Sequence, residues 1–350
     1  MSSGGRGRLA VMGTALLSRA GGVACDVVTV SPSALAPREL DAHRRELTAY
    51  CYRMLGSGFD AEDAVQETLV RAWRASESFE GRSSARSWLY RIATNVCLDM
   101  LRARQRRARP MELGPSRPPV EASLEAFLPE GSWVSPIADD RVLPLEADPA
   151  ALAEERESIR LAFIAALQHL PARQRAVLIL CEVLRWQASE VADLLDTTVP
   201  AVNSALQRAR ATVASLDSGP RQPVMDADQR ELLARYVDAF ERFDIDELVG
   251  LLHKDAVQSM PPYAMWLLGS EDIGRFMLGP GHGCLGSKLV PVHANGSPAF
   301  GHYKPGPQGG HIPWAIMVLE ISGDRISGIH SFLEAERLFP RFGLPLELSA

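Results

Sequence analysis

The stretch "QASEVADLLDTTVPAVNSALQRARATV", residues 187–213, predicts two short helices joined by a turn. Val191, Leu194 and Leu195 share the inward face of the first helix, Asp196-Thr197 makes the turn, and Thr198 caps the second. Val202, Ala205, Leu206, Ala209 and Val213 recur at helical spacing as a packed stripe, which leaves Asn203, Gln207 and Arg210 on the opposite side. Asn and Gln can pair bidentately with adenine edges and Arg with guanine or phosphate, so this is the layout of a DNA-reading helix, although generic helical hairpins share it. The preceding "LPARQRAVLILCEVLRW", 170–186, supplies an apolar bed.

Two earlier helical stretches carry opposite charge. In "DAEDAVQETLVRAW", 60–73, Val65, Leu69, Ala72 and Trp73 fall on one stripe expected to be buried. Asp60 can cap that helix and Glu62 and Asp63 suit its first turn, while Asp63, Gln66 and Glu67 share an outward face that capping does not require. "FEGRSSARSWLYRIATNVCLDMLRARQRRAR", 79–109, places Leu89, Ile92, Val96 and Met100 on one stripe and Arg91, Asn95 and Arg102 on another. From Arg82 to Arg109 there are eight arginines against one aspartate, a density that suits phosphate. Phe79, Trp88 and Tyr90 are interleaved with this charge; each is open to a core role or to stacking on unpaired bases.

The 350 residues, 46% of them apolar, suffice for two or three domains with cores of their own. A net charge of −6 argues against indiscriminate coating of DNA, so any DNA surface must be local. The five cysteines show no metal-ligand spacing, a reducing cytoplasm fits, and no apolar run approaches the ~18 residues that span a bilayer. Residues 1–37 read as a disordered extension, with Met12 an alternative start to Met1. The helical pattern from 38 to 109 stops at Pro110; residues 110–150, rich in proline and with eight acidic residues against two arginines, read as an extended linker that buries little, Trp133 excepted. A second helical unit spans 151–218, and "DSGPRQP" then separates it from an α+β unit at 226–350. Within that unit the turn signals "ANGS" and "SGD" predict hairpins, and Asp244 with Glu247 predicts a capping box.

In this order, "LTAYCYRMLGSGFDAEDAVQETLVRAW", the arginine-rich stretch, an acidic linker and "LPARQRAVLILCEVLRWQASEVADLLDTTVPAVNSALQRAR" resemble the extracytoplasmic-function class of bacterial RNA polymerase sigma factors, over about residues 38–216. The resemblance implies that the first unit, sigma region 2, binds polymerase core and opens the −10 promoter element. It implies that the second, region 4, reads the −35 element by a helix-turn-helix. Asp60, Asp63, Ala64, Val65, Gln66 and Glu67 would dock on the β′ coiled coil, with the β flap a further contact of the family. Phe79, Arg82, Ser84, Trp88, Arg91, Asn95 and Arg102 would meet the −10 DNA. Gln187, Ser189, Glu190, Thr198, Pro200, Ala201, Asn203, Ser204, Gln207, Arg208 and Arg210 would serve the −35 element. Two departures from the family matter: its turn glycine is Asp196, which tolerates the left-handed conformation, and Asn203 and Ala205 replace basic residues of its recognition helix.

Residues 226–340 resemble the SnoaL-like cone, a curved sheet wrapped by helices that a subset of these sigma factors carries; the overall expectation is two all-α domains followed by an α+β cone. His330, placed by alternation on one strand face with Ile326 and Phe332, is a candidate for the cone's pocket with His293 and Trp266; Asp255 and His293 are less well placed. Members of that superfamily include acid–base enzymes, so a small-molecule enzyme or ligand sensor is the rival to a regulatory domain. A repressor using only the helix-turn-helix is a third class. The expectation is a cytoplasmic, non-enzymatic promoter-specificity subunit that needs no metal or organic cofactor, does not contact membrane, and works with polymerase core and promoter DNA, with an anti-sigma factor or ligand left open.

Overall fold

A computed structural model describes residues 37–76, 79, 84–102, 106–129, 131–145, 148–216 and 225–349. The expected extension at 1–36, Arg82 and the separator at 217–224 lie outside them. After a short α1 (Pro37–Asp41), α2 (Arg44–Leu55) ends on Gly56, whose φ of +68° lets the chain reverse. Ser57 then caps α3 (Gly58–Arg74), its side chain accepting from the Asp60 amide at 3.2 Å. Asp60, expected as the cap, instead turns its carboxylate to Arg107 at 2.7 Å, since the helix begins one turn earlier than its acidic run. With α4 (Ala85–Leu101), capped by Ser84, these helices enclose Leu47, Tyr50, Met54, Val65, Leu89, Ala93 and Val96. Trp73 leaves the stripe predicted for it: it is 60% exposed.

The linker is not a free spacer. Beyond α5 (Pro110–Leu113), Trp133, Val134, Ile137, Val142 and Leu143 are buried, and Trp133 is only 5% exposed, so the segment spends its apolar residues on both neighbours. Its backbone pairs as it goes: Ala108 bridges Trp133, and Ala138 bridges Ala294. The second helical unit follows as α6 (Pro149–Glu157), α7 (Leu161–Gln168) and α8 (Ala172–Leu178), which runs into a single wide turn over Ile179–Val183. Next, α9 (Ala188–Leu194) and α10 (Val199–Ala214) are joined through Asp196 at φ +53°, the left-handed geometry that Asp tolerates. Val191, Leu194, Leu195, Val202 and Ala209 are buried as their spacing predicts.

The C-terminal part opens with α11 (Ala227–Glu241) and α12 (Ile245–Leu251), the latter capped by Asp244 accepting from the Glu247 amide at 3.0 Å. Strands β1 (Leu252–Ser259), β2 (Trp266–Leu268), β3 (Lys288–Ala294), β4 (Ser297–Pro305), β5 (His311–Ser322) and β6 (Arg325–Phe332) form one sheet, with α13 (Ser270–Leu278) between β2 and β3 and α14 (Ala335–Leu338) last. The strand order is β2-β1-β6-β5-β4-β3, with β1 and β6 parallel and the other pairs antiparallel. The two predicted hairpins are present, turning at Asn295-Gly296 and at Gly323.

The expected cone is not. The sheet is open, ending at β2 and β3, which do not pair with each other. The linker takes both ends instead. Arg117 donates its amide to the Trp266 carbonyl and Leu128 to that of Pro262, while Asn295 at the β3 end donates to Ile137. Both faces are also apolar. On one, Phe300, Met317, Leu319, Ile321, Ile326 and Ile329 pack with α11–α13; on the other, Ala299, Tyr303, Ile316, Val318 and Phe332 join the core of the helical units.

Removing Trp133 takes a large side chain out of this shared core, whereas Trp73 stands in solvent. Trp133→Ala is expected to lower unfolding free energy by about 3 kcal/mol and Trp73→Ala to change it by less than about 0.5 kcal/mol, read from urea unfolding curves.

Candidate functional site

Three solvent-facing surfaces arise from the helical units. On α3, Asp63, Gln66 and Glu67 are exposed, Glu67 pairing along the helix with Arg71 at 2.6 Å. Ala64, Val65 and Asp60 of the same predicted set are buried and shape the helix rather than its surface. The start of α3 is covered by the C-terminal part: Arg341 pairs with Glu62 at 3.0 Å, and the guanidiniums of Arg337 and Arg341 lie 4.2 and 4.5 Å from the Phe59 ring centre.

On α4, Arg91, Asn95 and Arg102 are exposed in the row that their spacing predicts. Ser84 is spent on capping, and half-buried Trp88 stacks on Phe79 with ring centres 4.9 Å apart. Tyr90 resolves to the core: fully buried, it packs edge-on against Tyr50 and sits 5.1 Å from the Trp186 ring of the second unit. Arg86 lies over both Tyr90 and Trp186 and is tied to Glu46 at 2.7 Å. In α9 and α10, all the predicted residues, Gln187, Ser189, Glu190, Thr198, Pro200, Ala201, Asn203, Ser204, Gln207, Arg208 and Arg210, are exposed. Arg208 donates to Ser204 at 2.6 Å, and Arg210 pairs with Glu182.

The exposed row of α4 meets the second unit directly. Arg91 donates to the Asp193 carbonyl at 2.6 Å, and Asn95 and Arg102 share a cleft of about 280 Å3 with Ala172 and Arg173. Behind that contact lie two buried arginines that the sequence reading missed. Arg53 donates to Glu155 and to the Ser158 hydroxyl, both at 2.6 Å, and Arg175 donates to Gln168 at 2.6 Å and to the Met54 carbonyl. Burial lowers the Arg53 guanidinium from its ordinary value, opposed by its ion pair with Glu155, and pushes Arg175 down to about 10, which leaves Arg175 a cation at neutral pH. Their signal would have been an arginine at an inward helical position, which amphipathic counting assigns to the surface.

In the C-terminal part the predicted pocket residues do not converge. His293 is exposed on β3, and Trp266 donates its indole N–H to the Gly114 carbonyl at 2.8 Å, holding the linker. His330 lies on the opposite sheet face from Ile326, because a bulge pairs Ile321 with Ile326 but Glu320 with Gly328. It hydrogen-bonds Ser259 at 2.8 Å and stands 3.6 Å from Glu320. The cavity under α11–α13, lined by Tyr236, Gln258, Cys284, His302, Trp314 and Ser331, is about 30 Å3, room for water rather than an organic substrate. There His302 contacts Ser287 at 3.0 Å, and burial together with the Lys304 charge pushes its imidazole down to about 3, leaving it neutral. Asp255 is exposed. No group of three or more potential ligating residues suited to a metal occurs among the described residues, and no helix among them is long and apolar enough to cross a membrane.

Comparison with known proteins bears on the helical units and on the whole chain. Residues 40–107 match the family described as Sigma-70 region 2, and residues 160–213 that described as Sigma-70, region 4. The chain is 46% identical over 313 residues to the ECF RNA polymerase sigma factor SigG of Mycobacterium tuberculosis, a match that covers 87% of this chain and 82% of that protein. It is 30% identical over 251 residues to SigJ of the same organism, covering 69% of this chain and 72% of that one. The crystal structure of the M. tuberculosis SigJ superposes with a TM-score of 0.57 at 23% identity, over 89% of this chain and 100% of that chain, a likeness of fold.

The Glu320–His330 pair sets an acid limit on stability. Burial raises the Glu320 carboxyl, but the His330 imidazole 3.6 Å away, with the charges of Arg109 and Arg160, outweighs it and holds the group at about 2. A folded-state value below the ordinary one means stability that is present above the ordinary carboxylate range and lost as pH falls. The stability difference between the natural chain and Glu320→Gln is therefore expected to shrink as pH falls from about 4.5 and to be lost below about pH 2, measured by unfolding across that range.

Proposed function

The chain belongs to the extracytoplasmic-function sigma factors of RNA polymerase, and from that premise we propose that it docks on polymerase core through α3, melts the −10 element with α4 and reads the −35 element with α10. Membership makes it a transcription factor and not an enzyme. The observation that carries the reading is charge segregation within one small bundle. Asp63, Gln66 and Glu67 stand exposed on one helix, while Arg91, Asn95 and Arg102 stand exposed on another. Acidic residues repel phosphate, so the first row suits a basic protein surface such as the β′ coiled coil, and the second suits the separated strands of promoter DNA. Trp88 and Phe79, stacked at the head of α4, add an aromatic platform for an unpaired base. The exposed face of α10, with Asn203, Gln207 and Arg210, has the donors and acceptors that major-groove readout requires. Work on polymerase implies a cytoplasmic site of action.

The C-terminal part is proposed to be regulatory, acting through the closed arrangement in which it participates. The −10 and −35 elements are separated by roughly 85 Å of duplex, taking about 25 base pairs at about 3.4 Å each. Here the two reading units touch through Arg91 and Asp193, a separation on the scale of one helix diameter, about 10 Å. Both elements can be engaged only after the units part. Arg337 and Arg341 meanwhile occupy the first turn of the helix assigned to polymerase.

Combining Asp63→Arg with Gln66→Ala changes only exposed side chains and so preserves folding. Holoenzyme assembly, followed by gel filtration with core polymerase, is expected to weaken at least about tenfold, as is run-off transcription from a cognate promoter. Unchanged assembly would mean that α3 is not the docking helix.

A further inference from the structure

We propose that the β3–β4 turn, Asn295-Gly296, is a latch that holds both helical units and the linker in the closed arrangement, so that releasing this one side chain lets the DNA-reading units part. The inference rests on the sigma-factor reading for its consequence, not for its geometry.

Asn-Gly at the tip of a two-residue hairpin ordinarily faces solvent, because both residues are chosen for their left-handed backbone rather than for contacts. Here the backbone requirement holds, with φ of +56° and +65°, yet Asn295 is wholly buried. Its side-chain carboxamide bonds to three separate parts of the chain. Nδ2 donates to the Tyr52 hydroxyl in α2 at 2.6 Å and to the Ile159 carbonyl, between α6 and α7 of the second helical unit, at 2.7 Å. Oδ1 accepts from the Ile137 amide of the linker at 3.1 Å, and the Asn295 amide returns a bond to the Ile137 carbonyl at 3.1 Å. The Tyr52 hydroxyl passes the connection on, donating to the Ser135 carbonyl at 2.9 Å. Next in sequence, the Gly296 amide donates to Asp139 at 2.8 Å, and a Cβ at Gly296 would fall 2.7 Å from the Arg156 carbonyl of α6.

A single carboxamide thus joins residues 52, 137 and 159, which no local hydrogen bond could bring together. Each bond replaces one that water would supply, so the contact is stable when made as a set and readily resolvated when broken as a set. That distinguishes it from the apolar contacts around it. Parting the two units strands Tyr52 from Ile159, and the turn can follow only one of them.

Asn295→Gly tests the idea, because glycine accepts the left-handed backbone and removes only the side chain. With full-length protein, small-angle X-ray scattering is expected to show an increased radius of gyration, and hydrogen exchange around Tyr52 and Ile137 is expected to quicken by at least about tenfold. Circular dichroism should retain the sheet signal. An unchanged radius and unchanged exchange in a folded Asn295→Gly would overturn the latch while leaving the sigma-factor reading intact, since neither measurement involves polymerase or DNA. Should the sheet signal be lost, Tyr52→Phe decides: it lies outside the sheet and breaks the same connection from the other side, so expansion supports the latch and its absence overturns it. In run-off transcription with core polymerase, a released latch is expected to raise output at limiting core; a scattering change with no transcription from any promoter would count against the sigma-factor reading instead.

Discussion

The central strands of the C-terminal sheet are apolar on both faces, and most of the architecture follows from that. Along β5, Ile316 and Val318 point one way and Met317 and Leu319 the other, all buried. A sheet of this kind cannot leave a face in water, because each exposed large side chain forgoes about 1.5–3 kcal/mol of burial. Helices α11–α13 cover one face. The other is covered by the linker and the two helical units, whose core is continuous with it. The same constraint accounts for the open sheet: a cone would require β2 and β3 to approach each other, and the linker backbone already occupies the ends it would have to close.

The linker therefore does two jobs at once. Its prolines remove amide donors and favour an extended course, which suits a strand-edge or groove-filling role as well as a solvated spacer. What decides between these is the placement of Trp133, Val134, Ile137 and Val142, each of which reaches a core shared by neighbouring parts. Its acidic residues are partly absorbed into specific contacts: Asp139 receives the Gly296 amide, and Glu112 meets Arg109 and His169. Burial raises the Asp139 carboxyl despite that hydrogen bond, which makes the joint sensitive to how closely the turn sits.

Much of the helical half was legible because it is written in local code. Capping, periodicity and the left-handed tolerance of Asp196 are properties of adjacent residues, and α9, α10 and the exposed row on α4 appear where that code puts them. Misreadings came where tertiary partners decide. Trp73 lies at helical spacing from buried residues but at the end of α3 where nothing covers it, and Asp60 was displaced from its capping role by a serine three residues earlier. Strict alternation groups His330 with Ile326 as well as with Phe332, but the bulge in β6, a feature set by pairing with β5 that no single strand announces, leaves it on the face of Phe332 alone. The turn at 295–296 is the instructive case: its hairpin was readable from Asn-Gly, while the burial of Asn295 depends on residues 52, 137 and 159 and has no local signature.

Under the proposed reading, closure and promoter engagement oppose each other, and partners tip the balance. Where the two reading units touch, buried cations such as Arg53 and Arg175 are satisfied by carbonyls and carboxylates drawn from across the contact, so separation exposes charge that water or phosphate can take up but an apolar surface could not. If the open form is about 1% of the population, any partner that requires it binds about a hundredfold more weakly than its intrinsic affinity. A partner that engages α3 and one that engages α4 or α10 both favour the open form. Each then lowers the cost that the other meets, so two such partners would bind cooperatively through the shared opening. A net charge of −6 works in the same direction, because it disfavours non-specific association of the closed chain with DNA and leaves more of the opening to be driven by specific partners.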